Sequence, residues 1–245
     1  MQIRLINPNT TASMTQKIGE AAQHIASSNT DIVATNPRSG PVSIESHYDE
    51  AISAVGVVEE VRSDKTADAF IVACFGDPGL MAARELTQSP VIGIAEAAFH
   101  MATLISTRFS IVTTLGRTGI IAEHLLQSYG FSHHCRKIRA AEIPVLDLED
   151  NGDLALDRIV EECLRAKEED GIGAIVLGCG GMADLTEQIS ERVGLPIVEG
   201  VTAAVKLAES LVSLGLKTSK HGDLAYPLPK PFTGIYEHLS EECRS

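Results

Sequence analysis

The sequence predicts an α/β protein of two pseudo-symmetric lobes, each a mostly parallel sheet flanked by helices, with the working site in the cleft between them. Three observations lead there. Short β-branched runs alternate with longer amphipathic runs along most of the 245 residues, the pattern of strands joined by crossover helices. Several short runs, AFIVAC at 69–74 and AIVLGC at 174–179 among them, are apolar throughout, as strands are when helices cover both faces. Three pairs of segments also recur at one spacing, which points to an internal duplication.

In chain order, the β-branched run Ile3–Ile6 is the first strand, followed by a helical pattern over Thr11–Ser27. Strand Asp31–Thr35 leads to helix Ser46–Arg62, and strand Ala69–Cys74 to helix Pro78–Gln88. Strands Val91–Ile94 and Phe109–Thr113 follow with no helix predicted between them. The second half continues with helix Gly119–Tyr129, strand Arg136–Ala140, helix Leu154–Glu169 and strand Ala174–Gly178. Helix Ala183–Val193, strand Ile197–Glu199 and helix Val201–Leu214 complete the alternation. From Lys217 onward, KTSKHGD and YPLPKPF read as extended coil. Such a tail is either a poorly ordered terminus or a strap packed back on a lobe or a neighbouring subunit.

The repeat sets the lobes. DAFIVACFGDPGL ends its strand at Cys74 and GAIVLGCGGMADL ends its strand at Cys179, 105 residues later. PVIGIAEAA from Pro90 matches PIVEGVTAA from Pro196, and IRLINPNT from Ile3 matches FSIVTTLG from Phe109, each 106 residues apart. Duplication explains three similar segments in step better than alternation does. The expected lobes are residues 1–104 and 105–210, with a tail over 211–245.

Composition excludes several functions. The balance of 33 acidic against 20 basic residues, a net charge of −13, argues against nucleic-acid binding, which needs clustered Lys and Arg. No apolar run approaches the ~18 residues of a membrane helix. Asn7, Pro8 and Asn9 interrupt the N-terminal apolar residues too early for a signal peptide, so a cytoplasmic location is expected. The five cysteines are widely spaced with no CxxC pair, so neither a disulfide framework nor a zinc knuckle is expected.

Two of those cysteines stand apart. Ligands of parallel sheets sit at the carboxyl ends of strands, where Cys74 and Cys179 fall, each before a glycine-containing turn (Phe75-Gly76-Asp77-Pro78 and Gly180-Gly181-Met182). Glycine there lets backbone N–H groups face a bound oxyanion. A helix N-terminus beyond each turn is expected to lower the thiol pKa. Facing lobes would place two thiols across one cleft, the geometry for taking a proton from one face of a carbon and returning it on the other. A strand-end cysteine is often inert packing; two at matched positions of a repeat are not so easily set aside. Cys135, Cys163 and Cys243 have no such setting.

At these residues a resemblance becomes visible. LINPNTT, SIESHYDEA from Ser43, VACFGDPGL and LGCGGM together resemble the aspartate/glutamate/hydantoin racemase superfamily, and most closely its hydantoin and allantoin racemase branch. The resemblance spans nearly the whole chain. It implies two pseudo-symmetric α/β lobes, no cofactor, a homo-oligomer, and Cys74 and Cys179 as an acid/base pair. It also implies substrate contacts from Asn7, Ser43, Phe75, Gly76, Thr113, Thr114, Gly178 and Gly180, with Asn7 and Thr113 at equivalent repeat positions. The family often has Asp where PIVEGV has Glu199, a departure that bears on specificity and not on the reaction.

The residues beside the cysteines, Phe75-Gly76 and Gly180-Gly181, are uncharged and offer no cation for an α-carboxylate, so a neutral cyclic ureide is the expected substrate. Inverting C5 of a hydantoin develops enolate charge on the adjacent carbonyl, which backbone N–H groups stabilise. The alternatives are an amino-acid racemase, a maleate isomerase or an arylmalonate decarboxylase of the same superfamily, favoured if dicarboxylates bind. Outside enzymes, the alternative is a two-lobed solute-binding protein, which needs no matched cysteines.

Other signals are weaker. Adjacent His133 and His134 point opposite ways and complete no metal site. His47 either lines the cleft mouth or caps a helix. The runs Glu161-Glu162, Glu168-Glu169-Asp170 and Glu241-Glu242 read as solvated helix faces. Gly116-Arg117-Thr118-Gly119 lacks the Lys of a phosphate loop.

Overall fold

The computed structural model describes residues 1–150 and 152–240; Cys243 and Glu241-Glu242 lie outside the described residues. Strands β1 (Gln2–Ile6), β2 (Asp31–Thr35), β3 (Ala69–Val72) and β4 (Val91–Gly93) form a parallel sheet in the order β2-β1-β3-β4. Strands β5 (Phe109–Thr113), β6 (Cys135–Ala140), β7 (Ala174–Leu177) and β8 (Ile197–Val198) form a second in the order β6-β5-β7-β8. The registers correspond as well. Ile3 lies beside Ala69 and Phe109 beside Ala174; Phe70 lies beside Val91 and Ile175 beside Ile197. Strands β3 and β7 are buried at every residue, which is why they read as unbroken apolar runs.

Helices α1 (Ala12–Ile25), α2 (His47–Ser63) and α3 (Leu80–Leu86) follow β1, β2 and β3. Helix α2 starts at Ser46, whose Oγ accepts from the Asp49 N–H at 3.2 Å, a side-chain N-cap. Helix α4 (Ile94–Ile105) follows β4 and α5 (Gly116–Ser128) follows β5; after β6 come α6 (Asp147–Asp150) and α7 (Gly152–Glu169). A 3₁₀ turn (Gly180–Leu185) and α8 (Thr186–Val193) follow β7, and α9 (Gly200–Ser213) follows β8.

Helix α4 departs from the expected pattern, in which 95–108 held no helix. Ile94, Ala95, Ala97, Ala98, Phe99 and Ala102 are all buried, so little polar face marks the helix, and β4 runs into it through Gly93 without a break. Its setting explains its composition. Ala95, Ala98, Phe99 and Ala102 pack with Phe109, Ile111, Ala174 and Val176 of the second sheet, while Ile94 and Ala97 join the cluster that contains α9. Reciprocally, Val201, Ala204, Val205 and Ala208 of α9 pack with Ile3, Leu5 and Ile71 of the first sheet. Each half thus lends its last helix to the other half's sheet. At the crossing, a Cβ on Gly200 would stand 2.5 Å from the Ile94 carbonyl oxygen, so only glycine admits this approach.

Asp170 corrects another expectation. It is buried, not solvated, and its carboxylate accepts from Arg139 Nε at 2.9 Å and Nη2 at 2.7 Å and from Ser110 Oγ at 2.8 Å. Burial of the fork-to-carboxylate pair is tolerated because its hydrogen bonds are satisfied. Beyond α9, Thr218 donates to the carbonyls of Gln88 (2.8 Å, backbone N–H) and Ser89 (3.0 Å, hydroxyl), and His238 Nε2 lies 2.9 Å from Glu59 on α2. No helix among the described residues is long and apolar enough to cross a membrane.

Candidate active site

Cys74 and Cys179 each lie two residues beyond a buried strand, β3 and β7, and each closes the same kind of turn. The Asp77 N–H donates to the Cys74 carbonyl at 2.9 Å, and the Met182 N–H donates to the Cys179 carbonyl at 3.2 Å. The two turns meet: a Cβ on Gly180 would stand 3.1 Å from the Ala73 carbonyl oxygen and 3.3 Å from Ile94 Cδ1. Both cysteines line one mainly apolar cavity of about 60 Å³ between the two sheets.

Of the other residues the sequence singled out, Asn7, Phe75, Gly76, Thr114, Gly178 and Gly180 line the same cavity. Asn7 is 1% exposed, and its Nδ2 donates to Asn9 Oδ1 (2.9 Å) and Thr15 Oγ1 (3.0 Å), which fixes the loop after β1. Thr113 stands behind the wall: its hydroxyl donates to the Gly178 carbonyl at 3.1 Å. A Cβ on Gly178 would lie 2.7 Å from Thr113 Cβ. Ser43 is not among the residues lining the cavity. Sequence reasoning missed Asn9, Met14, Ile18, Ile44, Glu50, Ala73, Thr118, Ile121, Val145 and Gly181, which line it too. Asn9, Ile44, Glu50, Ala73, Thr118 and Gly181 sit inside stretches already singled out; Met14, Ile18, Ile121 and Val145 carry no signal apart from the fold that gathers them.

The thiols contradict the expected lowering of their pKa. Burial pushes Cys74 up to about 12; the Gly76 N–H opposes this, while Cys179, Asp77 and Glu50 add to it. Burial likewise pushes Cys179 up to about 11, opposed by the Gly181 N–H and Lys17 and reinforced by Glu199 and Glu45. The helix effect is weak because α3 starts at Leu80, six residues past Cys74, and Cys179 caps only a 3₁₀ turn. Desolvation of a thiolate in an apolar wall therefore wins. The surround also holds a carboxyl group, since Glu50 lines the cavity; among the described residues no Lys, Arg or His does.

Against this geometry, the family model for Asp/Glu/Hydantoin racemase matches residues 3–208. The chain belongs to the Asp/Glu/hydantoin racemase family. It is 45% identical over 241 residues to a hydantoin racemase of Pseudomonas sp. (strain NS671), covering 98% of this chain and 97% of that one. It is 48% identical over 236 residues to a hydantoin racemase of Rhizobium meliloti, covering 96% and 98%. The structure of allantoin racemase from Klebsiella pneumoniae superposes with a TM-score of 0.95 at 57% identity, covering 98% and 99%.

In this racemase-family chain the departing residue, Glu199, has a structural role. The Glu199 carboxylate caps α9, accepting from the Val201 N–H at 2.7 Å and the Thr202 N–H at 2.9 Å. Gly93 occupies the corresponding place in the first half, and there Asp77 caps α4 from the Cys74 turn. It accepts from the N–H groups of Ala95 and Glu96, both at 3.1 Å, and from Tyr129 Oη at 3.0 Å. One carboxylate stands behind each cysteine, supplied from different positions. Burial raises both, to about 7, against the hydrogen bonds they accept.

The weaker signals resolve into structure. His47 follows the Ser46 cap, lies 3.5 Å from Glu50 Oε2 and stacks on His124 of α5 at 5.8 Å between centroids. His134 Nδ1 lies 3.1 Å from the Thr107 carbonyl. Gly116 begins α5, and its N–H donates to Glu142 Oε1 at 3.1 Å, so a carboxylate already occupies that end. Cys163 is fully buried in the core against β5 and β7, and Cys135 begins β6. Among the described residues no group of three or more His, Cys, Asp or Glu is arranged to hold a metal ion.

Proposed function

We propose that this chain is a cofactor-independent racemase that inverts the C5 centre of a hydantoin-type ring, allantoin or a 5-substituted hydantoin, with Cys74 and Cys179 as the acid/base pair. The observation that carries this is the meeting of two repeat-related cysteines on one cavity whose wall, among the described residues, offers no cation to an α-carboxylate. Identity with hydantoin racemases over nearly the whole chain supports the same reaction.

One thiolate takes the C5 proton, and the electron pair delocalises onto the adjacent ring carbonyl as an enolate. The opposed thiol then gives its proton to the other face of C5, and the charge returns to sulfur. Exchange of roles converts the other enantiomer. Raised pKa values make the thiolate scarce at neutral pH but more basic once formed, which suits a weakly acidic C–H. Phe75, Gly76, Gly178 and Gly180 supply close walls and backbone, while Asn7 and Thr113 hold those walls in shape. The free thiols of Cys74, Cys135, Cys163 and Cys179 favour a reducing, cytoplasmic location. Exposed apolar Tyr48, Ile52, Leu228 and Ile235 favour a homo-oligomer.

Incubating one pure enantiomer of a 5-substituted hydantoin with the protein in D₂O tests the reaction. Optical rotation is expected to decay to zero with deuterium entering at C5. Cys74→Ser and Cys179→Ser should each abolish racemisation, and racemisation of both enantiomers by either variant would refute the two-thiol mechanism.

A further inference from the structure

Among the described residues, Glu50, in the first turn of α2, is the one ionisable residue besides the cysteines that lines the cavity. It stands close to the Cys74 turn: a Cβ on Gly76 would lie 3.8 Å from both Cδ and Oε1 of Glu50. Its carboxylate is only part-buried, and His47 Nδ1, 3.5 Å from Oε2, is its one ion-pair partner among the described residues. That contact is too long to saturate a carboxylate's lone pairs. The other polar side chains of the wall are largely committed. Asn9 Oδ1 accepts from Asn7 and from the Thr11 N–H, Asn9 Nδ2 points to Met14 Sδ at 3.2 Å, and the Thr118 hydroxyl donates to the Leu115 carbonyl.

The wall thus presents an under-used carboxylate acceptor and, among the described residues, no Lys, Arg or His beside it on the wall. We propose that Glu50 determines substrate specificity, accepting an N–H of a neutral cyclic ureide and repelling ring substrates that bear a carboxylate. The assignment rests on the ureide reading above and deepens it. A ureide has the N–H donors such an acceptor needs, and a carboxylate next to Glu50 in an apolar cavity meets a like charge in poor screening.

Two probes of nearly equal shape separate charge from size: hydantoin-5-acetamide and hydantoin-5-acetate. Wild type is expected to prefer the amide by about tenfold or more in kcat/KM. Glu50→Gln should bring that preference close to one and raise KM for the amide, with less change in kcat. A wild-type preference near one, or an undiminished preference in Glu50→Gln, overturns the proposal. Thermal protection of the wild-type protein gives a second readout that needs neither turnover nor a folded variant. Stabilisation by the amide and not the acetate supports the role of Glu50, and equal stabilisation overturns it. Loss of racemisation with selective protection intact would count against the reaction and leave the specificity assignment standing.

Discussion

Gly93→Ala tests whether Asp77 holds the first cysteine turn to α4. A Cβ at Gly93 would lie 2.2 Å from Asp77 Cγ and 2.4 Å from both carboxylate oxygens, so the carboxylate must leave. Three hydrogen bonds go with it, those from Ala95, Glu96 and Tyr129. A lost cap costs about 1 kcal/mol and stranded buried donors cost about 1–3 kcal/mol more, so the substitution should destabilise by about 3 kcal/mol. The backbone itself accepts alanine, with φ −83° and ψ 142° at Gly93. Asp77→Gly removes the obstructing carboxylate and suits the left-handed φ of 45° at position 77. It should cost about 2–3 kcal/mol alone. In that background Gly93→Ala should be neutral or stabilise by up to about 1 kcal/mol, a coupling of about 3 kcal/mol. Urea unfolding of the wild type, both single variants and the double variant, with racemisation of a hydantoin alongside, measures the cycle. Racemisation should fall in Gly93→Ala, because Asp77 also closes the Cys74 turn through its N–H. An equal cost for Gly93→Ala in both backgrounds, within about 0.5 kcal/mol, would refute the reasoning.

Two further predictions concern pH. With the thiols raised to about 11 and 12, the singly ionised pair grows about tenfold per pH unit below that range, so kcat/KM should rise with that slope from pH 7 to 9; a plateau beginning near pH 7 would contradict the raised values. Glu199, raised to about 7, takes up a proton on folding, so its contribution to stability is full below its ordinary value of 4.5 and is lost as pH rises through 7. Between those limits the wild type should lose about 3 kcal/mol relative to Glu199→Gln, as urea unfolding across that range would measure.

The pairing of the cysteines was legible because similar segments recur at one spacing along the chain. Cys74 and Cys179 stand out by matched spacing, and the glycine turns beside them do form the wall that joins the two halves. What spacing could not convey was environment. The local pattern suggested helix ends that would acidify the thiols, but the sulfur atoms sit in a desolvated pocket whose charge is supplied from elsewhere, by Glu50 on α2, by Glu45, and by the capping carboxylates. Ser43 lies in a stretch that resembles the family, yet its neighbours Ile44 and Glu50 are the residues of that stretch on the cavity wall.

By itself the sequence determined most of the alternation of strands and helices, the recurring segments and the pair of cysteines at matched spacing, because strand burial and repetition appear as local, periodic patterns. Only the tertiary structure decided that α4 and α9 are exchanged between the halves, and that Asp77 and Glu199 serve one capping role from different positions. The same holds for the carboxylate of Glu50 on the cavity wall. Except for the Glu199 cap, which is local, these features depend on contacts between segments 18 to more than a hundred residues apart, where packing and desolvation, not local propensity, set which atoms meet.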